Sequence, residues 1–190
     1  MSDERNFLPV NIAVITVSDT RTPENDKSGD LLDDRIKGAG HNVVMRAIVV
    51  DDQATIVKRL KSLINDTEID VVLATGGTGV TGRDVTPEAF QEVFDKVIPG
   101  FGELFRMLSY EKIGTSTIQS RATAGVAGGT YIFALPGSPG ACRDAWDDIL
   151  VHQLDYRFKP CNFVELMPVS YTHLRAHETE ADLVCRLLLE

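Results

Sequence analysis

Residues 70–87 read DVVLATGGTGVTGRDVTP, and no other stretch restricts so tightly what this chain can fold into. Val71 to Ala74 has the composition and length of a buried strand. Thr75 follows, and then Gly76, Gly77, Thr78 and Gly79. Glycine loses more backbone entropy on ordering than any other residue, so a cluster of them at a strand end marks a place where bare backbone must approach something. A bulky anion facing exposed N–H groups fits, with Thr75, Thr78 and Thr81 adding hydroxyl donors. Arg83 and Asp84 come next. Thr86 then reads as an N-cap, with Pro87 at the first helical position and Glu88 in the first turn. Strand, glycine loop, acid and helix start belong to an α/β sheet, where ligands bind at the carboxyl ends of strands. A tight strand-to-helix connection without a ligand is the alternative. Two widespread phosphate loops are excluded. No Lys-Ser or Lys-Thr follows the glycines, and the spacing is not G-x-G-x-x-G.

The rest of the chain supplies the partners of that strand. NIAVITV (11–17) is a β-branched strand ending in Ser18-Asp19-Thr20-Arg21, a second polar loop at a carboxyl end. Leu31, Leu32 and Ile36 place a helix from about Ser28 to Gly38. His41 to Val50 is the second strand, followed by Asp51-Asp52-Gln53 and a helix carrying Ile56, Leu60, Leu63 and Ile64. For these two acids the default role is N-cap and first-turn charge. A helix from Pro87 to about Lys96 and another bearing Phe101, Phe105 and Leu108 come next. Residues 119–126 and 130–135 form a hairpin about Gly128-Gly129. A last helix runs from about Ala141 to Val151, with Trp146, Ile149 and Leu150 inward. The order β-α-β-α-β-α-α-β-β-α predicts a three-layer α/β domain whose central sheet is mixed and mostly parallel.

Net charge is −9 and the pI about 4.9, with no basic stripe, so nucleic acid is not an expected partner. An anionic substrate must then be held by local donors. No apolar run is long enough to span a membrane, and MSDERNFLPV lacks the basic-then-apolar pattern of an export signal. Cys142, Cys161 and Cys185 are far apart and form no C-x-x-C. Together these features predict a cytoplasmic protein without disulfide framework or zinc site. Residues 1–168 read as a single domain. From Val169 the chain resembles an in-frame translation of a transposase adapter, so residues 169–190 read as a non-native tail. His173 and His177 stand four apart in it, but no third ligand accompanies them.

Four segments carry a resemblance when taken together: TVSDTR (16–21), TGGTGVTGRDVTPEA (75–89), PGFGELFRMLSYEKIGTSTIQSRATAGVAGGT (99–130) and FALPGSPGACRDAW (133–146). Over residues 8–166 the chain resembles the MoaB/MogA/gephyrin G-domain family of molybdopterin-binding proteins. The block from Phe101 to Arg121 and the PGSPGACR segment favour its MoaB branch. The resemblance implies a mixed, mainly parallel sheet between helices and assembly as a homotrimer or homohexamer. It implies molybdopterin and ATP as substrates and Mg²⁺ as cofactor. The terminal phosphate of the pterin attacks the α-phosphate of ATP, giving adenylyl-molybdopterin and pyrophosphate.

By the same resemblance the essential carboxylates, catalytic and metal-binding, fall on Asp84 and Asp51, with Asp52 the alternative for the second. Substrate- and nucleotide-binding positions fall on Ser18, Asp19, Gly76, Gly77, Thr78, Gly79, Glu103, Ser120, Arg121 and Ser138. Arg121 can clamp a phosphate through its fork, or form an intersubunit salt bridge. Some members of the branch have lost the aspartate of GRDVTP and are thought to lack adenylylation activity. Asp84 is retained here, as is the whole SDTR, which favours a working enzyme. Two other functions compete: a carrier or scaffold that binds molybdopterin without adenylylating it, and a nucleotide hydrolase on the same fold, as in the CinA group.

Overall fold

The structure is a computed structural model, and it describes residues 5–167. The tail at 169–190, with His173, His177 and Cys185, lies outside the described residues. Three runs are buried at nearly every position: β1 (Asn11–Val17), β3 (Val71–Thr75) and β6 (Thr130–Leu135). That is why they read as continuous apolar segments rather than as alternating ones, since both faces of each strand are covered. They form the centre of a six-stranded sheet of order β2-β1-β3-β6-β5-β4. β2 (Asn42–Val49) is parallel to β1 and occupies one edge. β5 (Thr123–Ala127) runs antiparallel to β6, and β4 (Lys96–Val97) antiparallel to β5. The expected hairpin and mixed sheet are therefore present.

Successive strand residues point to opposite faces and build two apolar layers. Ile12, Val14, Leu73 and Phe133 meet α1 (Lys27–Gly38), α4 (Pro99–Ile113) and α5 (Pro139–Ala145) through Leu32, Ile36, Phe101, Phe105 and Ala145. Ala13, Ile15, Val72 and Ala74 meet α2 (Gln53–Ile64) and α3 (Thr86–Gln91) through Ile56, Leu60 and Phe90. α5 continues through a π turn at Trp146–Leu150 to Gln153, and Trp146, Ile149 and Leu150 are buried as expected.

Three boundaries differ from the sequence reading. The helix expected to reach Lys96 ends at Gln91, because Lys96 and Val97 pair with Val126 and Gly125 as an edge strand. Pairing with a distant partner outweighs local helical preference there. Thr86 is not an N-cap. Val85 takes that position without a side-chain bond, and Thr86 stands inside the helix with its hydroxyl on another carbonyl. The third lies after α4, where Gly114–Gln119 forms a 3₁₀ turn that no periodicity announces.

The strand order locates the site. From β1 the chain crosses to β2 on one side, and β3 returns on the other. The point between β1 and β3 is where the winding reverses, and in open α/β sheets that is where ligands bind, at the carboxyl ends of the strands.

Candidate functional site

Beyond Thr75 the backbone turns through Gly76 (φ +105°) and Gly77 (φ +63°). A Cβ at Gly76 would lie 2.2 Å from the Val17 carbonyl oxygen, and one at Gly77 2.4 Å from Thr86 Oγ1. Both left-handed backbone and lack of space exclude a side chain. The exit of β6 closes the third side. The Gly76 N–H donates to the Leu135 carbonyl (3.0 Å), and the Thr75 hydroxyl donates to that of Pro136 (2.9 Å).

Four consecutive carbonyls of this loop are held by two residues. Thr86 donates its hydroxyl to the Gly76 oxygen (2.9 Å) and its N–H to the Gly77 oxygen (3.0 Å). Arg121 donates its N–H to the Thr78 oxygen (3.1 Å) and Nε to the Gly79 oxygen (2.6 Å). In a trans peptide the N–H points opposite to the carbonyl of the same plane. Anchoring these carbonyls therefore turns the N–H groups of residues 77–80 the other way. Those of Gly77 and Thr78 donate to no acceptor among the described residues. Successive N–H groups held in this manner form an anion-binding concavity.

Two carboxylates border it. A Cβ at Gly77 would come within 2.9 Å of Asp51 Oδ1, and one at Gly79 within 2.7 Å of Asp84 Oδ2. Asp84 Oδ2 accepts from Thr81 through both N–H (3.0 Å) and hydroxyl (2.6 Å). The Thr81 hydroxyl bond chiefly holds the Asp84 pKa below the ordinary carboxylate value. Asp51 is the opposite case. Burial raises its pKa, the Val85 N–H works against that, and the charges of Asp84 and Asp19 raise it further. Asp19 Oδ1 accepts from the Asp51 N–H (3.1 Å), and its carboxylate pairs with Arg83. Of the adjacent acids, Asp52 is the one that caps α2, accepting from the Thr55 N–H (2.8 Å) and hydroxyl (2.7 Å). The structure therefore turns Asp51, and not Asp52, toward the loop.

Among the described residues no three His, Cys, Asp or Glu side chains form a metal cluster. Mg²⁺ does not need one, since it prefers one or two carboxylates with phosphate oxygens and water. Asp51 Oδ1 is buried and has no hydrogen-bond partner among the described residues. An orphaned anionic oxygen, repelled by two neighbouring carboxylates, fits a divalent cation held with Asp84. The cost to the unliganded protein is testable. A carboxyl whose folded pKa is raised contributes stability at low pH that is lost as pH rises through the folded value. Asp51→Asn is thus expected to stabilise the ligand-free protein at pH 7 by about 1 kcal/mol, the lower range for relieving an unsatisfied buried group, or roughly 2–4 °C in Tm. The gain should vanish below pH 4, and scanning calorimetry at both pH values checks it. A lower Tm at pH 7 would contradict this account of Asp51.

The remaining predicted residues divide. Ser18 accepts from the N–H groups of Thr20 and Arg21 (both 3.2 Å) and shapes the loop after β1. Ser138 caps α5, accepting from the Ala141 N–H (3.2 Å), in a segment whose Gly137 abuts Gly76. Ser120 precedes Arg121, and its hydroxyl accepts from the Ala122 N–H (3.4 Å). Glu103 is exposed on α4 and makes no hydrogen bond or ion pair with the glycine loop among the described residues. Arg121 also bonds the Asp84 carbonyl and Glu88, so its ion pair lies within the chain. Sequence reasoning missed Thr86 as an anchor, Thr81 as the partner of Asp84 and Glu88 as the partner of Arg121. Only the Thr81–Asp84 bond had a local signal, a hydroxyl three residues before an Asp in a turn.

Residues 13–156 match the family described as "Probable molybdopterin binding domain". The chain is 53% identical over 157 residues to the molybdenum cofactor biosynthesis protein B of Escherichia coli K12, covering 83% of this chain and 92% of the relative. The protein of the same name from Bacillus subtilis 168 is 47% identical over 146 residues, covering 76% and 86%. Among solved structures, a molybdenum cofactor biosynthesis protein B is 46% identical at TM-score 0.77, covering 79% of this chain and 94% of that one. The tungsten cofactor synthesizing protein MoaB of Pyrococcus furiosus is 39% identical at TM-score 0.67, covering 75% and 91%.

Proposed function

The chain belongs to the MoaB/MogA family of molybdopterin-binding domains and serves molybdenum cofactor biosynthesis, and from that premise we propose that it adenylylates molybdopterin with ATP. The observation that carries the proposal is the placement of Asp51 and Asp84 against one glycine loop, with Asp51 Oδ1 buried and unpartnered among the described residues. A terminal phosphate oxygen of molybdopterin forms a bond to the α-phosphorus of ATP. The bond from that phosphorus to the bridging oxygen breaks, and pyrophosphate leaves. Such a transfer asks the protein for in-line positioning and charge stabilisation rather than covalent chemistry. The N–H groups of Gly77 and Thr78 are the donors available to the phosphates. Asp51 and Asp84 would hold Mg²⁺, which when bound neutralises charge developing on the phosphate oxygens. Thr81 orients the Asp84 carboxylate for that role through its N–H and hydroxyl. The test is pyrophosphate release from ATP by the purified protein, with and without molybdopterin and with and without Mg²⁺. Binding of molybdopterin without any pyrophosphate release would instead favour the carrier or scaffold. Pyrophosphate or AMP release without the pterin would favour a hydrolase.

Cytoplasmic placement and homo-oligomeric assembly belong to the same proposal. No helix among the described residues is long and apolar enough to cross a membrane. On α4 the side chains of Leu104, Met107, Tyr110 and Ile113 are exposed, and Ile118 follows at 82% exposure. That many large apolar groups on neighbouring turns suit contact with further copies of the chain. Met107→Glu combined with Ile113→Glu is expected to convert a trimer or hexamer to monomer, read by light scattering after size exclusion. A wild-type chain that is already monomeric would refute the assembly.

A further inference from the structure

The proposed chemistry calls for a cation at the phosphates, and the sequence offers Arg121 either for that role or for an intersubunit salt bridge. Its geometry assigns it otherwise. The backbone N–H reaches the Thr78 carbonyl, Nε the Gly79 carbonyl, and the two terminal nitrogens the Asp84 carbonyl and Glu88. One residue thus ties the strand that begins at Thr123 to both limbs of the glycine loop. A guanidinium whose three nitrogens each hold a partner is a brace. Turning it toward a ligand would release the Gly79 carbonyl, whose anchoring helps orient the loop N–H groups.

Arg83 is placed quite differently. It sits between Gly79 and Asp84 at the tip of the same loop, with its side chain 77% exposed. Its hydrogen-bonding partner among the described residues is the Asp19 carboxylate. Asp19 in turn receives the Asp51 N–H, so Arg83 is joined through one residue to the acid that faces Gly77. An exposed ion pair of this type is held weakly, because water and salt screen both charges. Arginine's planar fork matches a phosphate as well as it matches a carboxylate. Resting on the reading of the loop as a phosphate site, we propose that Arg83 is the specificity-determining cation of this site. It exchanges Asp19 for a phosphate group of the nucleotide, while Arg121 positions the loop beneath. The side chain is long and largely exposed, so the exchange asks for side-chain rotation rather than backbone movement.

Titration calorimetry with ATP and Mg²⁺ at fixed ionic strength, together with hydrogen exchange over residues 76–84, tests the division of roles. Arg83→Ala should raise the Kd by about 10–100-fold, the range for losing a charge-assisted contact, with loop exchange unchanged. Arg83→Lys should recover part of the loss, having charge without the fork. Arg121→Ala should speed exchange across the loop, with any loss of affinity accompanying that loosening. The proposal is overturned if Arg83→Ala binds as wild type, or weakens binding only together with faster loop exchange. It is also overturned if Arg121→Ala weakens binding while the loop stays protected. Wild-type protein that binds no ATP at all would remove the phosphate reading itself, a result separable from any failure of the variants.

Discussion

Asp84→Ala is expected to lower Mg²⁺-dependent adenylylation of molybdopterin by at least about 100-fold, the scale for removing a group that stabilises charge in the transition state. The structure makes this variant informative because it separates the carboxylate from the loop. Arg121 bonds the Asp84 backbone carbonyl, and Thr86 bonds Gly76 and Gly77, so truncating the side chain leaves those anchors in place. What is lost is one of the two carboxylates facing the glycines, together with its bonds from Thr81. Molybdopterin binding should therefore survive while turnover collapses, measured as pyrophosphate release and binding in parallel. Undiminished turnover would sink the metal-assisted reading, because no other described carboxylate faces Gly79 in that way.

Gly76→Ala is expected to act on the fold itself. Alanine at φ +105° is strained, and its Cβ would stand 2.2 Å from the Val17 carbonyl oxygen, a backbone atom in the central strand β1. A flexible side chain can step aside, but this atom cannot without moving the β1–β3 pairing. Backbone strain and the enforced shift together should cost about 3 kcal/mol or more, or roughly 6–12 °C in Tm for a chain of this size. Gly82→Ala in the same loop is the control, since a Cβ there meets nothing within 4 Å and should leave Tm nearly unchanged. Equal melting of the two variants would show that the close approach of β1 and β3 does not govern this loop.

Much of the architecture was legible locally. Continuous apolar runs such as VVLAT and TYIFAL announced strands covered on both faces, and helical spacing announced α1, α2 and α4. The Gly128-Gly129 turn announced the hairpin that makes the sheet mixed. The edge strand at Lys96–Val97 was not legible, because two residues carry no period and their conformation comes from pairing with Val126 and Gly125. Thr86 misled in the same manner. Beside Pro87 it has the chemistry of a cap, yet a carbonyl ten residues earlier takes its hydroxyl.

Local chemistry along the chain dictated that a strand ends in a loop only glycine can make, that acids follow it, and which family the motifs resemble. Those are matters of backbone sterics and side-chain chemistry, which act over a few residues. Only the assembled fold settled that Asp51 rather than Asp52 faces the loop, that Arg121 is engaged with its carbonyls, and that Arg83 is exposed with Asp19 as its partner. Such roles depend on where the exits of β1, β2 and β3 meet at the reversal of the sheet. That meeting joins residues 19, 51, 84 and 121, whose proximity is a property of strand order and not of any spacing along the chain.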